Sequence, residues 1–373
     1  MAAMKHYFVV NPVSGKSIEI DFVNDLIIPA CEKLGIDYEI YETKKKGDGI
    51  TFVNETATKM GDKPCRFYAV GGDGTLYEVV NGAFGHDNAE VGVIPKGSGN
   101  DWIRLFGDLD LFRNIEAQLK GTPAKMDCLK VNGDEIAINQ TSLGFDAEVC
   151  ARQAAMKNVP GAVGHVTYLL AGFTCMLSKT WFDFKVTIDG QEIRGPFIQC
   201  VGANSRWYGS GIKEAPFAMP DDHMLDFVIF RRTSSWPAMV YPMMVNWQMK
   251  GDHVKYSFCE YYRGKKMVIE PKHPCQTNVD GECHEVDKLV IELVEDGLTF
   301  VVPEGSAYFE NKAKGILNNG IKKSLRNRRP FKYMLAEYNP FSMIVNKGIL
   351  KLFSMDRNYL NYSKLKNTNT FGL

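Results

Sequence analysis

The chain lacks a long uninterrupted apolar run, an internal repeat and a low-complexity tract. A membrane-spanning helix needs about 18 consecutive apolar residues, and no window of the sequence reaches that length. The nearest windows, 162–178 and 236–249, are interpreted as buried or surface-docking segments. Residues 1–11 also lack the apolar core of a secretion signal, because the apolar stretch 7–10 is too short. We therefore expect a cytoplasmic protein.

A net charge is also absent, since 44 Lys and Arg balance 44 Asp and Glu. The balance hides an asymmetry, because residues 306–373 hold thirteen basic and three acidic side chains. The remaining 305 residues hold 31 basic and 41 acidic side chains, so an acidic body precedes a basic tail. Hydrophobic residues make up 45% of the chain, which is typical of a globular protein with a substantial core.

Paired cysteines are not indicated, because the nine cysteines are odd in number, scattered and mostly placed within apolar runs. Reduced, buried thiols are expected from this pattern. His273, Cys275, Cys283 and His284 invite a zinc interpretation, but their spacing matches no usual finger or ribbon. No zinc site is expected there.

What the sequence does contain is a pair of glycine-rich turns, 70–75 (Val-Gly-Gly-Asp-Gly-Thr) and 94–101 (Ile-Pro-Lys-Gly-Ser-Gly-Asn-Asp). Each follows a short apolar run and precedes a helical pattern. Glycines let the backbone approach an anion, and the N–H groups of the next helix point at it. The acids Asp73 and Asp101 would repel phosphate unless a cation lay between them. The turns therefore indicate Mg²⁺-nucleotide chemistry.

Plainer explanations exist for parts of these turns. Thr75 and Glu78 have the spacing of a capping box, in which each side chain accepts a backbone N–H at the start of the helix. Asn100 or Asp101 could serve only as a helix N-cap, and Arg104 could be a surface charge. The glycines around Asp73 are not explained in this way.

Strands alternate with helices over residues 1–125, which favours a doubly wound parallel sheet. Strands are predicted at 7–10 and 37–42, and helices at 17–34, 52–60, 76–84 and 102–106, with lysines 44–46 in a solvated loop. Ligands of such sheets bind beyond the carboxyl ends of the strands. The two glycine turns and a third turn, 11–16, all fall at such ends.

The pattern changes after residue 124, where short β-branched and aromatic runs recur between turn signals. This predicts an antiparallel β domain with a helical insertion around 146–177. Within it, 278–282 (Asn-Val-Asp-Gly-Glu) reads as a hairpin turn, although its two carboxylates could also take a proton from a hydroxyl. The predicted fold is α/β: a doubly wound parallel-sheet nucleotide-binding domain (1–125), an antiparallel β-sandwich domain (126–305) and a basic C-terminal tail (306–373).

The motifs also occur together in the order of a known family. Segments 11–16, 71–75, 95–101, 142–146, 215–216 and 279–282, with Glu78, Asn81 and Arg104, closely resemble the diacylglycerol kinase catalytic domain in its bacterial lipid-kinase form, related to sphingosine and ceramide kinases. The resemblance covers about residues 5–305. It implies two domains with ATP in the cleft between them, a lipid hydroxyl as acceptor and Mg²⁺ as the required ion.

The resemblance also implies residue roles. Asp280 would be the base that activates the lipid hydroxyl, with Glu282 beside it, and Asp73 the acid nearest the phosphates. Asp73 and Asp101 would hold the catalytic metal, and Asp222 a structural Mg²⁺, although His223 stands where the family usually has glycine and Ser98 replaces a commoner Thr. The nucleotide would be held by Asn11, Ser14, Gly15, Lys16, Gly71, Gly72, Gly74, Thr75, Glu78, Gly97, Ser98, Asn100, Asp101 and Arg104.

Other functions stay open at this level. NAD kinase also carries a Gly-Gly-Asp-Gly turn, and a nucleotide-binding regulatory protein that has lost catalysis could use the same fold. The basic tail suits an anionic membrane surface, which makes the protein peripherally membrane-associated, or else folds back on the acidic body. No nucleic acid partner is expected. Oligomeric state is undetermined, with a homodimer as one option.

Overall fold

The computed structural model describes residues 4–14, 21–96, 100–156, 171–172, 174–175, 182–209, 211–232 and 248–318. The apolar windows 162–178 and 236–249 fall mostly outside these ranges, as does the tail beyond Asn318. No helix within the ranges given combines the length and apolar character needed to cross a membrane. All nine cysteines are free thiols and seven of them are buried, as expected.

The first part of the chain is a parallel sheet covered by helices on both faces. Its strands lie in the order β2–β1–β3–β4. Their bounds are β1 Lys5–Val10, β2 Tyr38–Glu42, β3 Cys65–Gly71 and β4 Ala89–Pro95. The helices are α1 Ile28–Leu34, preceded by a π-helical turn Phe22–Ile27, α2 Asp48–Met60, α3 Asp73–Ala83, α4 Leu109–Arg113 and α5 Ile115–Leu119, with a 3-10 turn at Asp101–Leu105.

Side chains of the central strands alternate between two hydrophobic clusters, because successive residues of a strand point to opposite faces. Val9 and Phe67 belong to one cluster with Val79 of α3. Phe8 and Tyr68 belong to the other, which includes Cys31 of α1. The double winding predicted from the sequence is confirmed.

The second part of the chain is an antiparallel β domain, again as predicted. Its strands are β5 Thr122–Val131, β6 Glu135–Ala137, β7 Gln140–Gly144, β8 Phe182–Ile188, β9 Gln191–Ala203, β10 Leu225–Arg231, β11 Cys259–Gly264, β12 Lys266–Pro271, β13 Cys275–Val279, β14 Glu282–Val286 and β15 Leu289–Val302. Helix α6 is Phe145–Met156, and a 3-10 turn spans Asp252–Lys255. The pairings among these strands are antiparallel.

Strand β15 joins the two parts. The runs 289–293 and 298–302 suggest two strands, but the structure has one, with a register shift between Val294 and Leu298. The gap in the apolar pattern reflects a bulge rather than a chain reversal, since a bulge disturbs side-chain alternation without ending the strand. The end of β15 pairs parallel with β4, while its beginning pairs with β12. The cleft between the parts is therefore framed by continuous sheet.

The beginning of the C-terminal extension packs on the body. Helix α7 (Tyr308–Ala313) and a 3-10 turn, Ile316–Asn318, follow β15. The Tyr308 ring lies 4.7 Å from that of Phe106, centroid to centroid. Lys312 Nζ is 2.5 Å from Asp221 Oδ2. The proposed basic membrane-binding cluster lies beyond, outside the described residues.

Candidate active site

Three turns meet at one edge of the parallel sheet, as the sequence predicts. Val10 of β1 pairs with Val70 of β3, and Gly71 pairs with Pro95 of β4, so these strands end side by side. The Lys96 N–H donates to the Gly71 carbonyl at 2.9 Å, which joins the second and third turns. The described parts of the three turns therefore lie side by side at this edge of the sheet.

The first turn is closed by its own asparagine. Asn11 Oδ1 accepts from the Val13 N–H at 3.1 Å, and the Asn11 carbonyl accepts from the Ser14 N–H at 3.2 Å. A Cβ at Gly72 would lie 3.8 Å from Ser14 Oγ, so this hydroxyl sits beside the second turn. The predicted nucleotide-binding residues Gly15, Lys16, Gly97 and Ser98 lie outside the described residues.

The second turn has no capping box, and that prediction is wrong. Helix α3 begins at Asp73, with Gly72 at the N-cap and no side-chain capping bond. The buried Thr75 hydroxyl has no hydrogen-bond partner in the structure. It lies against Gly71, where a Cβ would come within 2.2 Å of Thr75 Oγ1. Because the helix starts three residues earlier than the pattern suggests, Thr75 lies within its first turn and packs on the strand end.

Glu78 has a different structural role from the one predicted. Its Oε1 accepts from the Gly47 N–H and its Oε2 from the Gly49 N–H, both at 2.8 Å. These two glycines flank the start of α2. Glu78 therefore holds the loop between β2 and α2 against α3. The sequence offers a faint sign of this loop in its Gly-Asp-Gly segment, 47–49, but nothing that links it to Glu78.

Asp73 ties the second turn to the third. Its carboxylate accepts from the N–H groups of Asn100 and Asp101 at 3.0 and 3.2 Å. Burial, and then the negative charge of Asp101, raise the pKa of Asp73 to about 6, while the two N–H donors oppose the shift. Arg104 Nε donates to Asp101 Oδ1 at 2.8 Å. The predicted acids of both turns are thus brought together.

This cluster fits a hard divalent cation. Mg²⁺ takes oxygen ligands, and Asp73 and Asp101 supply carboxylates. The Asn100 side chain is fully buried, yet neither its Oδ1 nor its Nδ2 has a hydrogen-bond partner. A bound ion or phosphate would satisfy such a group, which otherwise carries a desolvation penalty.

The hairpin predicted at 278–282 is confirmed, with Asp280 and Gly281 as its two-residue loop between β13 and β14. Both loop residues have positive φ, 48° and 99°, as a type I′ turn requires. The Asp280 carboxylate points at the backbone of 138–140 and accepts N–H bonds of 2.7–3.3 Å from Ile138, Asn139 and Gln140. Burial raises the pKa of Asp280 to about 7, against these donors, with a smaller contribution from the charge of Asp73.

Glu282 lies directly opposite the phosphate turns. A Cβ at Gly74 would be 3.6 Å from Glu282 Oε1. Its Oε2 forms an ion pair with Lys46, whose side chain is 79% exposed. Lys46 was expected only to be solvated, so its pairing across the cleft is a feature that sequence reasoning missed. No spacing rule links residues 46 and 282.

Asp222 is not part of this cluster. Its Oδ2 accepts from Arg263 Nη2 at 2.5 Å, while its Oδ1 is buried without a hydrogen-bond partner. Burial raises the pKa of Asp222, and Arg263 opposes that shift. Arg263 thus supplies positive charge beside Asp222, and a structural Mg²⁺ at Asp222 stays a prediction.

An α/β domain whose glycine turns face an acidic hairpin of a β domain is an arrangement suited to phosphoryl transfer. Residues 5–131 match the model of the diacylglycerol kinase catalytic domain. Residues 139–301 match the model of the YegS C-terminal NAD kinase beta sandwich-like domain. Together the two matches span most of the chain, which therefore combines the two domains of a diacylglycerol kinase-like, ATP-dependent lipid kinase.

Relatives support this assignment across most of the chain. A diacylglycerol kinase of Staphylococcus carnosus is 26% identical over 276 residues, which are 74% of this chain and 87% of that protein. A diacylglycerol kinase of Bacillus subtilis is 25% identical over 74% of this chain and 88% of its own length. A diacylglycerol kinase crystal structure from Bacillus anthracis, 19% identical, has a TM-score of 0.60 over 81% of this chain and 97% of that chain. That likeness shows a shared fold.

Proposed function

We propose that this protein transfers the γ-phosphate of ATP to the hydroxyl of diacylglycerol or a related lipid. One observation carries the proposal: the Glu282 carboxylate of the β domain lies beside Gly74 of the phosphate turn. An acid that faces the phosphate end of a nucleotide site is where the acceptor hydroxyl must enter, because phosphoryl transfer needs the nucleophile in line with the γ-phosphate.

In this proposal the backbone N–H groups of the three turns and the Ser14 hydroxyl bind the nucleotide phosphates. Asp73 and Asp101 hold Mg²⁺, which neutralises phosphate charge when bound. Arg104, half-exposed, is held by the Asp101 carboxylate, and in this proposal it contacts the nucleotide phosphates. Asp73 also fixes the third turn through its two N–H bonds, so it has a positioning role in addition to a metal-binding role.

We assign the base to Glu282 and a positioning role to Asp280. A carboxylate offers about four lone-pair sites, and the Asp280 carboxylate already accepts four backbone contacts from 138–140. These contacts come from three N–H donors, one of them shared by both oxygens, and they hold the buried carboxylate against the backbone of 138–140. Glu282 is partly exposed instead and forms an ion pair with the exposed Lys46. The base predicted from the sequence was Asp280, and that assignment stays a prediction that the geometry does not favour.

The chemistry needs few other groups. Glu282 accepts the proton of the lipid hydroxyl. The hydroxyl oxygen then bonds to the γ-phosphorus, and the bond between the γ-phosphorus and the ADP oxygen breaks. A positioned base of this kind contributes about 10²–10⁴-fold to the rate. Most of the remaining acceleration comes from in-line positioning and charge stabilisation by the turns.

Peripheral membrane association belongs to the same proposal, because the acceptor resides in a bilayer. The basic clusters of 319–373, including Lys322, Lys323, Arg326, Arg328 and Arg329, would attract anionic lipid. A homodimer stays a prediction. Vesicle co-sedimentation of the full chain and of a chain ending at Asn318 tests the tail, with binding lost on truncation as the expected result.

The direct test of function is transfer of label from γ-labelled ATP with Mg²⁺ to a lipid panel in mixed micelles. The panel contains diacylglycerol, a sphingoid base, ceramide and a glycolipid, with NAD and acceptor-free controls. Label on diacylglycerol is expected. Label on NAD would indicate an NAD kinase instead, and nucleotide binding without label on any acceptor would favour a non-catalytic protein.

A further inference from the structure

Two cysteines lie beside the hairpin that carries Glu282. All nine cysteines are among the described residues; seven are buried, and Cys150 and Cys283 are half-buried. Cys150 lies in α6, and Cys283 follows Glu282 in β14. Their sulfur atoms lie 3.8 and 4.0 Å from the same atom, the Gly281 carbonyl oxygen. The two partly exposed cysteines are therefore neighbours in space, although they are far apart in the sequence.

The packing of α6 on the hairpin brings the two side chains to one interface. Cα atoms of α6 lie within 8 Å of Cα atoms of β13 and of β14. Asp146, one turn before Cys150 on the same face of α6, is hydrogen-bonded to the Asn278 side chain. Asn278 pairs with Cys283 across the hairpin, so their side chains lie on the same face of the sheet. Cys150 and Cys283 are thus the next pair along an existing contact.

We propose that Cys150 and Cys283 form a reversible disulfide, with small disulfides of the glutathione class as the oxidant, and that this bond lowers kinase activity by displacing Glu282. The bond does not depend on the proposed function, whereas its effect on activity rests on it. Buried cysteines react slowly by comparison, because burial raises the pKa of Cys31 to about 11 and that of Cys65 to about 12. Disulfide exchange requires the thiolate.

The exchange has two balanced steps. The thiolate of one cysteine attacks a sulfur of the small disulfide, whose S–S bond breaks to release one thiolate and leave a mixed disulfide on the protein. The thiolate of the second cysteine attacks the protein sulfur of that mixed disulfide, closes the Cys150–Cys283 bond and releases the second small thiolate. The two protein thiols are oxidised, and the oxidant is reduced to two thiols that take up the two protons the cysteines lose.

The cross-link acts on Glu282 through β14. Successive side chains of a strand point to opposite faces, so Glu282 lies towards Gly74 and Lys46 while Cys283 lies towards α6. A disulfide holds its two sulfur atoms about 2.05 Å apart. The bond therefore fixes the start of β14 to α6, and any approach of Cys283 to the helix carries Glu282 away from Gly74. A displacement of about 1 Å at a reacting group can cost about 10²-fold in rate.

The test treats the full chain with oxidised glutathione, alkylates the remaining thiols in denaturant and maps the peptides by mass spectrometry. Cys150→Ser and Cys283→Ser each remove one partner at a half-buried position. Cys275→Ser is the matched control, because a hydroxyl can keep the contact that the thiol makes with the His273 carbonyl at 3.2 Å. Label transfer from ATP to diacylglycerol is measured on the same samples before oxidation, after oxidation and after reduction with dithiothreitol.

We expect disulfide-linked peptides that contain residues 150 and 283 in wild type and Cys275→Ser, and in neither of the other variants. The kcat of wild type and Cys275→Ser should fall at least about tenfold on oxidation and return on reduction, whereas Cys150→Ser and Cys283→Ser should not lose kcat to that extent.

Two results would overturn the proposal. A wild-type protein that keeps glutathione on Cys150 or Cys283 without forming the cross-link would overturn the pairing, and a cross-link with unchanged kcat would overturn its coupling to Glu282. A chain that forms the cross-link but labels no lipid even when reduced would support the pairing and contradict the proposed function alone, because mass spectrometry detects the bond without activity.

Discussion

The Asp280→Asn variant tests whether Asp280 positions the hairpin or acts as the general base. The Asp280 carboxylate accepts N–H bonds from Ile138, Asn139 and Gln140, at distances down to 2.7 Å. An asparagine retains one acceptor oxygen and turns an NH₂ group towards the remaining donors. At least one backbone N–H is then left without an acceptor.

The expected loss of folding free energy follows from the number of N–H groups left without an acceptor. An unsatisfied buried donor costs about 1–3 kcal/mol. For a domain of about 150–250 residues, the size range of the β domain, a loss of about 2 kcal/mol lowers the melting temperature by about 4–8 °C. The hairpin that carries Glu282 should loosen as well, so activity should fall together with stability.

Glu282→Gln is the comparison variant, because Glu282 has only an ion pair with the exposed Lys46 to lose. Its melting temperature should stay close to that of the wild type, since exposed pairs contribute about 0–1 kcal/mol. Its kcat should fall by about 10²–10⁴-fold. Scanning calorimetry and labelled-ATP transfer on both variants make the comparison. An Asp280→Asn protein that melts like wild type yet loses as much kcat as Glu282→Gln would refute this assignment and restore Asp280 as the base.

Three further perturbations probe other contacts. Gly71→Ala places a Cβ 2.2 Å from Thr75 Oγ1, so it should destabilise by about 1–3 kcal/mol in urea unfolding and raise the KM for ATP; unchanged values would mean that α3 shifts freely. Burial raises the pKa of Glu214 to about 8, so its stabilisation is complete below its unfolded pKa near 4.5 and is lost as pH rises through about 8. The wild-type melting temperature should therefore fall more steeply than that of Glu214→Gln between about pH 5 and 8 and run parallel to it at higher pH; curves that are parallel between about pH 5 and 8 would contradict this. Lys46→Ala should cost no more than about 1 kcal/mol, with Lys45→Ala as the neutral control; a larger loss would mean that the cross-cleft pair is a main link between the domains.

The sequence by itself determined the order of elements and the position of the phosphate turns. Those features are local: glycines at 71, 72 and 74 end a buried strand, and Gly35 ends α1 with a φ of 63°. The antiparallel domain and the Asp-Gly hairpin were also predictable, because period-two runs and a type I′ turn depend on neighbouring residues alone.

Local patterns failed where a distant partner decides. Thr75 and Glu78 have capping-box spacing, yet Glu78 binds the Gly47 and Gly49 N–H groups instead. The gap in β15 looks like two strands, but β5 pairs with β15 on both sides of the register shift and so keeps the strand continuous. In both cases a contact between remote segments outweighs a weak local preference.

Only the tertiary structure distinguishes Asp280 from Glu282. By sequence spacing they are equivalent carboxylates on one turn, and no local pattern shows which of them accepts hydrogen bonds from the backbone of 138–140. Their difference comes from the strand pairing that brings β7 beside β13, with Ser142 opposite Asn278. The buried Asp127 carboxylate likewise accepts the N–H groups of His223 and Asp296, which lie up to 169 residues away in the sequence. The contacts of these carboxylates depend on which segments the fold brings together, because a hydrogen bond acts over a few ångströms whatever the distance along the sequence.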